Sequence, residues 1–208
     1  MGRSPHEHKA TMTAREFSRS WSAEVLKAPP LIAPARQFTY PRQIAGEEDA
    51  LARGALQLLV HPANDGTFLA TCALGFTNPA MPTGVFACPN PHEMCAVAGG
   101  YAYVIDTAHP EHCTHIALKP VVEVRPLVAQ GLLLFVGFHS IIAWKRDGIA
   151  WESTRLSWEG VRITSINADV LHGTGWNMVT DRDVAFSLDL LTGQHRGGGF
   201  TPPQEKKN

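Results

Sequence analysis

The chain has 208 residues, of which 44% are hydrophobic and 18% charged, against a usual charged share of about 25%. So few charges exclude a solvated, disordered chain, and the length suits one ordinary domain. The formal net charge is −1, so no global field steers the protein toward nucleic acid or anionic lipid, and neither is expected as a partner.

Residues 1–40 differ in composition from the rest of the chain. Arg3, Lys9, Arg15, Arg19, Lys27 and Arg36 face only Glu7, Glu16 and Glu24, and Ala28-Pro29-Pro30 and Pro34 push the chain extended. This stretch reads as a basic, proline-containing arm. Phe17, Trp21 and Val25, spaced four apart, predict a short helix over Ala14 to Leu26. The start lacks the apolar run of a secretory signal, Met12 offers a second start, and a cytoplasmic location is expected. Gly46-Glu47-Glu48-Asp49 before Ala50-Leu51-Ala52 predicts a second short helix, its carboxylates suited to the positive end of the helix dipole.

From residue 41 to 200 the chain reads as one mainly β domain, followed by a flexible tail over 201–208. Short β-favouring runs cover Leu56–Val60, Thr67–Phe76, Met94–Ala98, Tyr101–Asp106, Val121–Leu127, Leu132–Phe138, Ser140–Lys145, Val161–Ile166, Asn177–Thr180 and Val184–Leu190. Asn64-Asp65-Gly66, Gly99-Gly100, Asp147-Gly148, Asp181-Arg182-Asp183 and Thr192-Gly193 punctuate them as turns. His172-Gly173-Thr174-Gly175 reads as a further tight turn. The most apolar run, Leu132 to Trp144, contains His139 and Ser140 and is shorter than the roughly 20 residues of a spanning helix, so it reads as buried core.

Three windows align without gaps: MCAVAGGYAYVID from Met94, LLFVGFHSIIAWK from Leu133 and NMVTDRDVAFSLD from Asn177. Each reads as strand, tight turn, strand, with an alternation that turns one face into a core. Their spacing, with Asp147-Gly148-Ile149-Ala150-Trp151 and Leu188-Asp189-Leu190-Leu191-Thr192-Gly193, resembles the blades of β-propellers of the quinoprotein type over residues 94–196. The resemblance implies antiparallel four-stranded units. Residues 56–200 hold too little chain for a typical closed ring, so a partial propeller is expected, with a β-sandwich or an irregular β-barrel as alternatives. No ligand set matches a quinoprotein cofactor, and none is expected.

Cys88, His92, Cys95, His109, His112, Cys113 and His115 crowd one segment. Thiolate and imidazole are what tetrahedral zinc prefers, so Cys88, His92, His109, His112 and Cys113 form a candidate metal set, and a metal-dependent hydrolase using loops 88–115 is one functional reading. The spacing matches no standard finger or ribbon, and buried thiols with surface histidines satisfy the same pattern. Asp106 and Asp189 read as turn carboxylates that bond their own backbone. The sequence has no phosphate-binding Gly-Lys-Ser/Thr loop, strand-linked G-x-G-x-x-G or G-x-S-x-G elbow. Trp144 and Trp176 are expected in the core, whereas Trp151, Arg155 and Trp158 form the candidate recognition surface. The other reading is therefore a non-enzymatic binding or scaffold module for a protein or small ligand, with a homo-oligomer as a third expectation in which copies complete one another.

Overall fold

A computed structural model of the chain describes residues 16–41 and 50–201. Its sixteen strands form four sheets of four. The first contains β1 (Trp21–Leu26), β2 (Arg36–Tyr40), β3 (Ala55–Pro62) and β4 (Phe68–Ala73), in the order β1-β3-β4-β2, with β2 parallel to β4 and the other pairs antiparallel. The second runs β5 (Gly84–Ala87), β6 (Glu93–Ala98), β7 (Tyr101–Asp106), β8 (Cys113–His115). The third is β9 (Val121–Leu127), β10 (Leu132–Gly137), β11 (Ile141–Lys145), β12 (Gly148–Glu152). The fourth is β13 (Val161–Asn167), β14 (Val170–Asn177), β15 (Arg182–Asp189), β16 (His195–Gly197). The last three are antiparallel meanders, in which each strand pairs with its chain neighbour. The protein is mainly β, and none of the sheets closes into a barrel.

Three apolar clusters bind the sheets in chain order. Leu58, Val60 and Phe68 of the first sheet meet Met94, Tyr103 and Ile105 of the second. The opposite face of the second, through Cys95, Val97 and Val104, meets Leu133, Phe135 and Ile142 of the third. Leu134, Val136 and Ile141 of the third then meet Leu171, Phe186 and Leu188 of the fourth. No such cluster among the described residues joins the fourth sheet to the first. Four stacked layers replace the two of a sandwich. The middle sheets are covered on both faces, so the expectation of one buried face is corrected: β10 and the first four residues of β11 are buried at every position. Small residues permit this: Ala102 and Ala143 lie on the faces opposite Tyr101, Tyr103 and Trp144, and Ala96 and Ala98 make room beside Tyr103 and Tyr101.

The helix expected over Ala14 to Leu26 is corrected, since Trp21–Leu26 is strand β1, paired with β3 along its whole length. A four-residue interval is two strand periods as well as about one helical turn, so the spacing of Trp21 and Val25 did not discriminate. The stretch read as an arm thus supplies two strands of the first sheet, β1 and β2. Most of the second expected helix and of the C-terminal tail lies outside the described residues, while Ala50–Arg53 form a turn. Further corrections fall in the fourth sheet. His172–Gly175 lies inside β14 and is not a tight turn; residues 178–180, read as strand, form with Asp181 the turn between β14 and β15, and Arg182 and Asp183, read as turn, open β15. Gly173 and Gly175 serve close approach, because an added Cβ would lie 2.4 Å from the Phe186 ring or 2.3 Å from the Leu156 carbonyl oxygen.

Candidate functional site

The chain passes from the third sheet to the fourth through residues 153–160, and this connection is tied down on both sides. Leu156 N–H donates to the His139 carbonyl at 2.7 Å, and the Leu156 carbonyl accepts from Gly199 N–H at 2.8 Å. Ser157 is wholly buried, and its Oγ accepts from Trp176 N–H at 2.8 Å while donating to the Glu159 carbonyl at 2.9 Å. Trp158 N–H closes the array on the Trp176 carbonyl at 3.0 Å.

Arg155 rests on this frame. Its Nε donates to the Ser157 carbonyl at 3.0 Å and its Nη2 to the Trp158 carbonyl at 2.9 Å, with His139 Nδ1 at 3.3 Å from Nη2. The guanidinium carbon lies 5.0 Å from the Trp158 ring centroid and 4.7 Å from that of Phe200. The two rings meet edge-on, 5.0 Å apart. A cation near an aromatic face is attracted by the ring quadrupole, so both rings and both backbone bonds hold the guanidinium in place. The Trp158 indole N–H is buried and has no acceptor among the described residues. The site therefore offers a flat, oriented positive charge, which suits a carboxylate or another planar acceptor.

Of the three residues expected to form a recognition surface, Arg155 and Trp158 come together and Trp151 does not. Trp151 is 7% exposed, its indole N–H donates to the Leu190 carbonyl at 2.7 Å, and its ring covers Gly193. It joins the third and fourth sheets. Trp144 is core, as expected, with its N–H on Glu93 Oε2 at 2.8 Å. Trp176, also expected in the core, instead lies half-buried with its N–H on Asp181 Oδ1 at 3.0 Å. Phe200 and His139 were missed as members of the site. Phe200 follows three consecutive glycines, and no local pattern brings it to Arg155.

The candidate metal set separates. Cys88 is wholly buried between the second and third sheets. Cys113 packs toward the core between the first and second sheets, and burial pushes its thiol up to about 12. His92 shares a 2.9 Å hydrogen bond with Ser20. Only His109 and His112 meet, in the loop between β7 and β8, and their partner is Asp106, which lay outside the expected set. Beside them a cleft of about 540 Å³ is lined by Glu93, His112, Trp144, Arg146 and Asp147, among others. Partial burial raises the Glu93 carboxyl above its usual range, against the lowering effect of the Trp144 N–H. No family model matches the chain, and no curated protein is significantly similar to it.

Proposed function

We propose that this chain is a non-enzymatic binding module that holds a carboxylate-bearing protein segment or small ligand on the Arg155–Trp158–Phe200 surface. The observation that carries the reading is the guanidinium seated beside two aromatic rings that meet edge-on, and tied to two backbone carbonyls. Two of its donors are engaged by backbone carbonyls, and Nη1 makes no hydrogen bond among the described residues. An incoming carboxylate could accept from Nη1 without disturbing that frame. The Trp158 indole N–H is buried with no acceptor among the described residues, and leaving such a donor unsatisfied costs about 1–3 kcal/mol.

In this reading the four sheets are blades of a partial propeller, with the ligand surface at the connection between the third and fourth. The stacking of meanders in chain order supports it. The unbridged step from fourth sheet to first leaves an end at which a second copy could complete the ring, which light scattering would reveal as a dimer. A cytoplasmic location fits four cysteines that are all free thiols. The hydrolase reading has less support, because the Cys and His side chains expected to converge are divided between core and surface.

The test is titration of the protein with benzoate and acetate, followed by NMR at the Trp158 indole N–H and the Arg155 side-chain N–H. The expected result is a saturable shift confined to these signals and lost in Arg155→Ala. Shifts that persist in Arg155→Ala, or none at all with either acid, would remove the proposal.

A further inference from the structure

We propose that Asp106, His109 and His112 bind one divalent transition-metal ion of the zinc class, leaving coordination positions open to solvent. Two imidazoles and one carboxylate are donors that such ions accept, and three protein ligands plus an open position is the arrangement of reactive rather than purely structural zinc. One ligand atom from each residue lies within 4.8 Å of the other two. Asp106 Oδ2 and His109 Nδ1 are 3.5 Å apart. Zinc bonds of about 2.1 Å in a tetrahedron separate neighbouring ligand atoms by about 3.4 Å, so this pair already spans one edge.

The same distance is long for a direct charge-assisted hydrogen bond, which closes to about 2.7–2.9 Å. Neither imidazole ring makes a hydrogen bond among the described residues, and the two stack with centroids 5.8 Å apart. An Asp106–His109 ion pair alone would leave the His112 ring unused, whereas a shared ion would take a donor from all three.

The loop is set before any ion arrives. Asp106 Oδ1 accepts the backbone N–H groups of Ala108 and His109 at 2.9 and 3.2 Å, which leaves Oδ2 as the free oxygen. Asp106 N–H donates to the His112 carbonyl at 3.1 Å, and His112 N–H to the His109 carbonyl at 2.8 Å. Thr107 bonds the His92 carbonyl through both its N–H and its hydroxyl, and Tyr40 Oη donates to the Pro110 carbonyl at 2.5 Å. Ligands fixed in this way lose little freedom on binding. His109 and His112 are exposed, and the adjoining cleft gives an ion and a further ligand access. This site lies on the second sheet and does not depend on the reading of Arg155.

The experiment takes untagged, metal-free full chain and titrates it with Co²⁺, read by visible absorption, and with Zn²⁺, read by calorimetry. One saturable equivalent of Co²⁺ with visible d–d bands, displaced by Zn²⁺, is expected. Asp106→Asn, which keeps an oxygen for the backbone cap, His109→Ala and His112→Ala should each weaken binding at least about 10-fold. His61→Ala and the double variant His6→Ala/His8→Ala should bind as the parent does. Absence of a saturable equivalent, unchanged binding in His112→Ala, or loss of the signal only in the His6→Ala/His8→Ala variant would overturn the proposal. Thermal melting of each variant separates lost binding from lost folding, and His109 and His112 are exposed enough to be replaced without touching the core.

Discussion

Asp106 and Asp189 hold the same place in two different sheets. Each ends the third strand of its meander, and each offers Oδ1 to the backbone N–H groups two and three residues onward, Ala108 and His109 in one case and Leu191 and Thr192 in the other. The side chain three residues on sets the difference. Thr192 adds its hydroxyl to Asp189 Oδ1 at 3.0 Å, whereas His109 brings a ring nitrogen to the second oxygen of Asp106. One turn is locked on itself, and the other presents a ligand.

Hydrogen bonds from the Thr192 backbone and hydroxyl, and then from Leu191 N–H, hold the Asp189 carboxyl below its usual range. A group lowered in the native state contributes stability above its unfolded pKa and loses it as pH falls through the native value. Urea midpoints measured from about pH 2 to pH 7 should therefore fall less steeply with acid in Asp189→Ala than in the parent. Asp189→Asn, which keeps an acceptor, should lie between the two at neutral pH. Parallel acid limbs in all three proteins would show that this turn does not contribute.

Trp151 should behave as a joint between sheets and not as a ligand contact. Replacing it by Phe keeps much of the ring but strands the buried Leu190 carbonyl, at a cost of about 1–3 kcal/mol. Trp151→Ala should cost about 3–5 kcal/mol in chemical denaturation, because the ring fills the space between β12 and the turn at Gly193. Neither change should alter the benzoate affinity of the folded fraction. A large affinity loss in Trp151→Phe would place the residue at the ligand after all.

The thiols should be inert in the native protein. Burial is the main cause that raises all four, and Cys113, the least buried, moves from 9.0 to about 12. At neutral pH that leaves about 1,000-fold less thiolate than an unperturbed group. Mass spectrometry after iodoacetamide treatment should find no alkylation under native conditions and four adducts in urea. Rapid native labelling of Cys113 would mean that β8 opens far more readily than its pairing with β7 indicates.

The β class was legible because strand periodicity and turn residues are local signals, and β6, β7, β10 and β11 follow the expected runs closely. The fourth sheet was harder. Glycine signals a turn by its φ freedom, yet Gly173 and Gly175 are required by what lies across from them, and that neighbour is remote in sequence. The same limit hid Phe200 and Asp106. A cation seated beside rings from two loops, or a carboxylate that turns its second oxygen to a histidine, leaves no periodic trace. Trp151 and Trp158 carried similar flanking charges, and only the position of Leu190 and Gly193 separates the buried one from the half-buried one.

Gly175 tests whether the frame controls the surface it carries. A methyl group there would lie 2.3 Å from the Leu156 carbonyl oxygen and 3.0 Å from Ser157 Cβ. The connection could accept it only by moving away from β14, and that carbonyl also receives the Gly199 N–H just before Phe200. Overpacking of this kind costs about 1–3 kcal/mol, so Gly175→Ala should still fold while its melting temperature falls. Displacing Leu156 shifts Arg155 on one side and loosens Phe200 on the other, so the two rings should no longer hold the guanidinium in place. Benzoate affinity should then drop in a variant that alters none of the proposed contacts. Gly131→Ala is the control, because nothing lies within 4 Å of the added carbon and the surface turn is remote from the frame. It should show the modest strain of a positive φ without any loss of affinity. Equal affinities in Gly175→Ala and the parent, measured on folded protein, would mean that Arg155 is positioned by its own stacking and not by the backbone beneath it.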